Sequence, residues 1–262
     1  LINPPQQFCI SCDQLIAGVH FDVHASTRQI AEKLIGRSLS DLAAAGASPY
    51  SCTLTCAFPE DYSNEQSFEL CNEIISAAAQ YQLAIIGGDC SSAKQLVLSC
   101  TVMGRANGKV PGRNSAKVGG QIYVSRALGG AVHSGRHLSP TPELALGKLL
   151  VEKCNPQAMI DLSDGLDNDL RRILGASNVG ARVDVDLLPL NKGCDWQQAV
   201  SEGEDYGLLI VLDEAVALTI DEVLKEDSHR LYRVGEITTS PTLDYRQNSN
   251  AVTLDKKPFS YS

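Results

Sequence analysis

The sequence predicts a mixed α/β protein made of two layered units, and three observations predict it. The chain has 262 residues, the size at which single cores stop growing and chains divide. Apolar runs of strand length alternate with helix-length amphipathic segments on both sides of residues 104–120, the pattern of α/β layering. The stretch from Gly104 to Gly120 is itself rich in Gly, Lys and Asn with one Pro. It marks a crossing loop and sets the expected units at 1–112 and 113–262.

In the first unit, Phe8 to Ser11 reads as a strand. Thr27 caps a helix carrying Ile30, Leu34 and Ile35 that extends into the Ala-rich stretch Leu42 to Ala47, ended by Gly46, Ser48 and Pro49. Ser51 to Phe58 is a β-type run and Glu65 to Tyr81 an amphipathic helix. Leu83 to Ile86 is a short strand stopped by a turn at Gly87 and Gly88, and Leu96 to Met103 closes the unit. In the second unit, strands at Ile122 to Ser125, Ala181 to Leu187 and Leu208 to Leu212 alternate with helices near Glu143 to Lys153, after Asp164, and at Glu214 to Lys225. No internal repeat is visible, which removes solenoids and propellers.

Hydrophobic residues make up 44% of the chain and charged residues 20%, without any biased tract, so the expectation is a globular fold throughout. The net charge of −9 and the lack of a Lys/Arg-rich stripe argue against nucleic acid as a partner. A polyphosphate ligand would have to come with metal ions. No run is apolar enough to span a membrane, and the opening Leu1-Ile-Asn-Pro-Pro lacks a charged flank and an apolar core, so a cytoplasmic location is expected. The nine cysteines, an odd number, resemble no disulfide framework, and reduced, mostly buried thiols are expected. Cys9-Ile-Ser-Cys12 matches CxxC but lies in a strand pattern with no second pair to complete a zinc site.

The chemistry is carried by aspartates at the ends of apolar runs. Asp13 follows Phe8-Cys-Ile-Ser-Cys12; Asp41 lies in Leu39-Ser-Asp-Leu-Ala-Ala-Ala-Gly46; Asp89 ends Ala84-Ile-Ile-Gly-Gly-Asp89; Asp161 and Asp164 lie in Asp161-Leu-Ser-Asp-Gly-Leu166. Each alone is commonly a helix cap or turn residue. Together they mark strand ends, where α/β sheets bind ligands. Glycines at 87 and 88 would let backbone approach a phosphate, and Asp161 and Asp164, three apart, would share a face if helical. Two unit charges 4 Å apart repel by about 4 kcal/mol at an effective dielectric of 20, so converging carboxylates protonate or take up cations. Oxygen ligands completed by substrate phosphates suit Mg²⁺. Arg113, in a Gly-rich loop, is a candidate clamp on phosphate. His20, in Gly18-Val-His-Phe21, and Glu204, in Gly203-Glu-Asp-Tyr206, stand beside apolar strands. The pairs His20/His24 and His133/His137 have helical metal spacing, but their Gly, Ser and Pro neighbours favour loops.

In order along the chain, Ser11-Cys-Asp-Gln-Leu-Ile-Ala-Gly-Val-His-Phe21, Leu39-Ser-Asp-Leu-Ala-Ala-Ala-Gly-Ala47, Ile86-Gly-Gly-Asp89, Asp161-Leu-Ser-Asp-Gly-Leu166 and Gly203-Glu-Asp-Tyr206 resemble the thiamine-monophosphate kinase family, of the aminoimidazole ribonucleotide synthetase-like superfamily. The resemblance implies an N-terminal domain that forms a β-barrel across a homodimer, and a C-terminal α/β domain completing the site. It implies transfer of the ATP γ-phosphoryl group onto thiamine monophosphate, the last step in making thiamine diphosphate, with several Mg²⁺ ions and no side chain acting as acid or base. Carried over by motif, Ser11, Cys12, Asp13, Asp41, Asp89, Asp161 and Asp164 would contact metal, Asp41, Asp89 and Asp164 also positioning the reactants. Gly88, Asp89, Arg113 and Ser163 would bind ATP, while His20, Glu204 and Phe259 would hold the substrate. The sequence departs from the family pattern at Cys12, where Thr is usual, at Glu202 for Gly and Gly207 for Glu, and at Ser139 and Glu143, where arginines are frequent. Two other readings are a different ATP-dependent synthetase of the superfamily and a nucleotide-binding protein that has lost catalysis.

Overall fold

The computed structural model describes residues 7–225, 229–257, 259 and 260. The first unit runs β1 (Phe8–Ile16), α1 (Thr27–Ala44), β2 (Ala47–Pro59), α2 (Asn64–Gln80), β3 (Ala84–Ala93) and β4 (Val97–Ala106). Its four strands form one sheet in the order β1-β4-β2-β3, with only β2 and β3 parallel. Alternation along β1 sends Leu15 into a core shared with Leu34, Leu39, Leu70, Ile74 and Leu98, so both helices cover one face. The other face is open. Phe8 and Ile10 of β1 are exposed on it, and among the described residues the sheet does not close on itself.

The second unit runs β5 (Gln121–Val124), α3 (Leu144–Lys153), β6 (Ala158–Asp161), α4 (Leu166–Ser177), β7 (Gly180–Asp184), α5 (Trp196–Ser201), β8 (Leu208–Leu212), α6 (Glu214–Ala217), α7 (Ile220–Lys225), β9 (Tyr232–Thr238), β10 (Leu243–Gln247) and β11 (Asn250–Val252). These strands form a seven-stranded sheet, β11-β10-β7-β9-β5-β8-β6. All five residues of β8 are buried, which is why Leu208 to Leu212 reads as an unbroken apolar run.

Helix α1 joins the two units. Ser26 caps it by accepting from Gln29 N–H, and the Gln29 side chain accepts from the Ser26 N–H, a reciprocal capping box; the cap is thus one residue earlier than Thr27. Its middle packs on the first sheet, whereas Ala43 and Ala44 join a second core with Met159, Leu150, Leu208 and Ile210. Gly46, at φ +62°, ends the helix in the left-handed region, and β2 starts directly at Ala47.

Other expectations change. Gly87 and Gly88 do not turn the chain but lie inside β3, paired in parallel with Thr53 and Leu54; a Cβ on Gly88 would fall 2.2 Å from the Leu54 carbonyl oxygen. Asp161 and Asp164 are not on a helix: Asp161 ends β6 and Asp164 precedes α4, which starts after Gly165 at φ +89°. The strand expected from Ala181 to Leu187 stops at Asp184 and turns into a 3-10 segment, and the helix from Glu214 to Lys225 breaks into α6 and α7. The region after Lys225 holds three strands that the apolar pattern did not show. Among the described residues no helix is long and apolar enough to cross a membrane.

Candidate functional site

Strand β1 and helix α1 place the first half of the site. Ser11 and Asp13 alternate onto the helix-covered face, where the Ser11 hydroxyl donates to Asp41 Oδ2. Arg37 Nε donates to Asp13 Oδ1 at 3.1 Å, while Asp13 Oδ2 is buried with no hydrogen-bond partner among the described residues. Burial raises the Asp13 pKa, Arg37 opposes the rise and the neighbouring Asp41 adds to it. Asp161, 5% exposed, comes to the same place from the end of β6. Its carboxyl is pushed well above the usual range by burial and then by Asp41 and Asp169. Asp41, Asp161 and Arg113 line one cleft of about 200 Å³.

The segments 161–165 and 203–207 are pinned to each other. Glu204 N–H donates to the Ser163 carbonyl at 2.8 Å, Tyr206 N–H to that of Leu162 at 2.8 Å, and Leu162 N–H to that of Gly207 at 2.8 Å. Glu204 and Tyr206 hold φ of +68° and +51°, a costly conformation for residues with side chains that persists only where the surroundings impose it. Asp205 supplies much of that constraint: Gly129 N–H and Arg136 donate to its two oxygens at 2.9 and 2.6 Å. Asp164 pairs with Arg172, which also binds Asp169.

Glu204, 2% exposed, forms an ion pair with Lys33 of α1, 0% exposed. Burial lowers the Lys33 pKa and the Glu204 charge works against that. His20 lies near this pair and accepts the Ile16 N–H at Nδ1, 3.0 Å. Burial, Arg37 and Lys33 lower its pKa while Glu204 opposes them, which favours the neutral imidazole, and the bond accepted at Nδ1 favours the tautomer protonated at Nε2. Phe259 packs on Gly203, where a Cβ would come 2.7 Å from the ring, and its carbonyl accepts from Asn168 at 3.1 Å.

Thus Ser11, Asp13, Asp41, Asp161 and Arg113 come together, and His20, Glu204, Ser163 and Phe259 gather beside them. Cys12, Gly88 and Asp89 do not join them within one chain. Asp13 and Gly88 occupy one row across the sheet through Cys100 and Leu54, three strand spacings or about 14 Å apart. Asp89, one residue on, faces the opposite side, in the row of Thr55, Ser99 and Gln14. Gly88 and Asp89 border an apolar slot of about 370 Å³ lined by Leu54, Cys56, Cys71 and Ile74. Cys12, also on the open face, accepts from Thr101. All nine cysteines are free. Among the described residues no three His, Cys, Asp or Glu side chains form a ready metal cage. A hard cation still fits the chemistry of the Asp13–Asp41–Asp161 group, with its orphaned buried oxygen and two raised carboxyls, if phosphates complete the shell.

Sequence reasoning did not single out Lys33, Arg37, Asp169, Arg172, Arg136 or Asp205. The signal for two of them was present, since Lys33, Arg37 and Asp41 recur at intervals of four on a helix already expected.

The buried carboxyls have a measurable consequence. Burial pushes Asp205 up to about 6, with Gly129 N–H and Arg136 opposing. Below the ordinary value of 3.8 the proton is on Asp205 in both folded and unfolded chains. Above it only the folded chain keeps the proton, so this contribution to stability is lost as pH rises to about 6. Urea denaturation of the chain and of Asp205→Asn should show wild type losing on the order of 3 kcal/mol against the variant between about pH 4 and 7. A constant difference would refute this.

Two family models match the chain: "AIR synthase related protein, N-terminal domain" over residues 1–106, and "AIR synthase related protein, C-terminal domain" over residues 131–246. Thiamine-monophosphate kinase of Rhodopirellula baltica is 35% identical over 232 residues, covering 84% of this chain and 73% of that protein. The Escherichia coli enzyme of the same name is 32% identical, covering 100% of this chain and 89% of its own length. The crystal structure of thiamine-monophosphate kinase from Stenotrophomonas maltophilia superposes with a TM-score of 0.84 at 31% identity, covering 96% of this chain and 89% of that one. With both halves of the fold matched and relatives above 30% identity aligned along most of their length, the chain belongs to the thiamine-monophosphate kinase family.

Proposed function

We propose that the chain transfers the γ-phosphoryl group of ATP onto the phosphate of thiamine monophosphate, giving thiamine diphosphate and ADP. The observation that carries this reading is the junction of two half-sites: the cleft of Asp41, Asp161 and Arg113 adjoins the group of His20, Glu204 and Phe259, because residues 162–163 and 204–207 are hydrogen-bonded to each other. Arg113 offers a cation for ATP phosphates and Ser163 a hydroxyl beside them. His20 and Phe259 hold the aromatic substrate, and Glu204 orients it. No general base is required, since a phosphate oxygen of the substrate is already ionised at neutral pH; positioning and charge neutralisation suffice.

Asp13, Asp41 and Asp161, with Ser11, Cys12, Asp89 and Asp164 as further donors, are the residues that would hold Mg²⁺. When bound, Mg²⁺ supplies neutralisation of the charge that gathers on the transferred group. The open face of the first sheet, with Phe8 and Ile10 exposed, supports a homodimer in which two such sheets cover each other. In that dimer Asp89 faces the second copy, while Gly88 stays on the helix-covered side, where the apolar slot it borders takes the adenine. The functional division at 1–112 and 113–262, and a cytoplasmic location, complete this reading.

The test is incubation with ATP, Mg²⁺ and thiamine monophosphate. ADP release that depends on thiamine monophosphate, with thiamine diphosphate identified by mass spectrometry, is the expected result; no turnover, or turnover without that product, would sink it.

A further inference from the structure

Helix α1 carries a line of charge on one face: Lys33, Arg37 and Asp41, each four residues apart. Lys33 ends on Glu204 and Asp41 on Ser11. Arg37, between them, ends on Asp13 at 3.1 Å, and both side chains are largely withdrawn from water, at 11% and 17% exposure. This is no solvated surface pair. The guanidinium is a charge neighbour of Lys33 and His20 as well as of Asp13, which in turn neighbours Asp41.

We propose that Arg37 is a resident cation of the phosphoryl-transfer centre, taking at Asp13 the place that a divalent ion would otherwise occupy. The proposal rests on the reading of the site as a Mg²⁺-dependent kinase and narrows it: Asp41 and Asp161 remain for a metal, whereas Asp13 is already neutralised by the protein. A guanidinium is suited to this because it stays charged at any working pH and binds a carboxylate through directed N–H groups. A fixed cation on Asp13 also weakens the pull of the cluster on a further ion. Two unit charges about 5 Å apart interact by roughly 3 kcal/mol at an effective dielectric of 20, more than enough for a tenfold change in affinity.

The test is Mn²⁺ binding to the full chain, without nucleotide or substrate, followed by electron paramagnetic resonance. Arg37→Gln is expected to bind one additional Mn²⁺ per chain, or the same number at least tenfold more tightly, while Arg37→Lys behaves as wild type. Adding Asp13→Asn to Arg37→Gln should remove the gain. Binding by Arg37→Gln that superimposes on wild type, or a gain that survives Asp13→Asn, overturns the proposal. Should Arg37→Gln not fold, Asp13→Asn alone decides: unchanged Mn²⁺ binding supports Arg37 as the occupant, and a lost ion overturns it. Because no thiamine monophosphate is present, failure of the proposed kinase reaction would leave this result standing.

Discussion

Asp41→Asn is expected to lower turnover by at least about a thousandfold without unfolding the chain. Asp41 sits in the last turn of α1 with its Oδ2 accepting from Ser11, and an amide oxygen can keep that bond. What disappears is a negative charge at the cleft shared with Asp161 and Arg113. The same change should leave the metal-free protein no less stable than wild type, because Asp41 is a like-charge neighbour of both Asp13 and Asp161 and its removal relieves repulsion. Steady-state kinetics beside thermal denaturation in chelator checks both halves. Near-normal turnover would remove Asp41 from the reaction, and a collapsed melting temperature would assign it a structural role instead.

The second large effect concerns Lys33. Lys33→Met leaves the Glu204 carboxylate buried without its cation, a loss that costs about 3–5 kcal/mol for buried pairs. Lys33→Met with Glu204→Gln removes both charges and should regain most of that stability. Affinity for thiamine monophosphate should not return, since Glu204 and its neighbour His20 no longer present the same field. Urea denaturation separates the two variants, and the Michaelis constant for thiamine monophosphate reports the pocket. Equal stability of single and double variants would show that the pair is not what holds this junction.

Much of this was legible in the sequence. Leu208 to Leu212 and Leu98 to Val102 announce themselves because their faces are buried as expected of central strands, and Asp41, Asp161 and Arg113 stood out by their small and apolar neighbours. The failures have physical causes. In β9 the buried positions are Val234 and Ile237, three apart, because a register shift opposite Ile122 and Tyr123 breaks the two-residue period. In β10, Asp244, Arg246 and Gln247 hide the strand behind polar residues. Gly87 and Gly88 read as a turn because glycine usually marks one, yet an edge strand paired on a single side tolerates them. The partners of the site residues were harder still: Lys33 and Glu204 lie 171 positions apart, and nothing local in either segment names the other.

That separation also sets a clock during synthesis. At about 5–20 residues per second, a ribosome delivers Glu204 roughly 10–30 s after Lys33. In that interval Lys33 belongs to a helix that has no carboxylate to receive it, so its ammonium stays hydrated and the adjoining face of α1 stays open. Sealing of that face therefore waits on the arrival of the second sheet, and the nascent N-terminal unit is a stage at which a chaperone would find both exposed apolar surface and an unquenched charge.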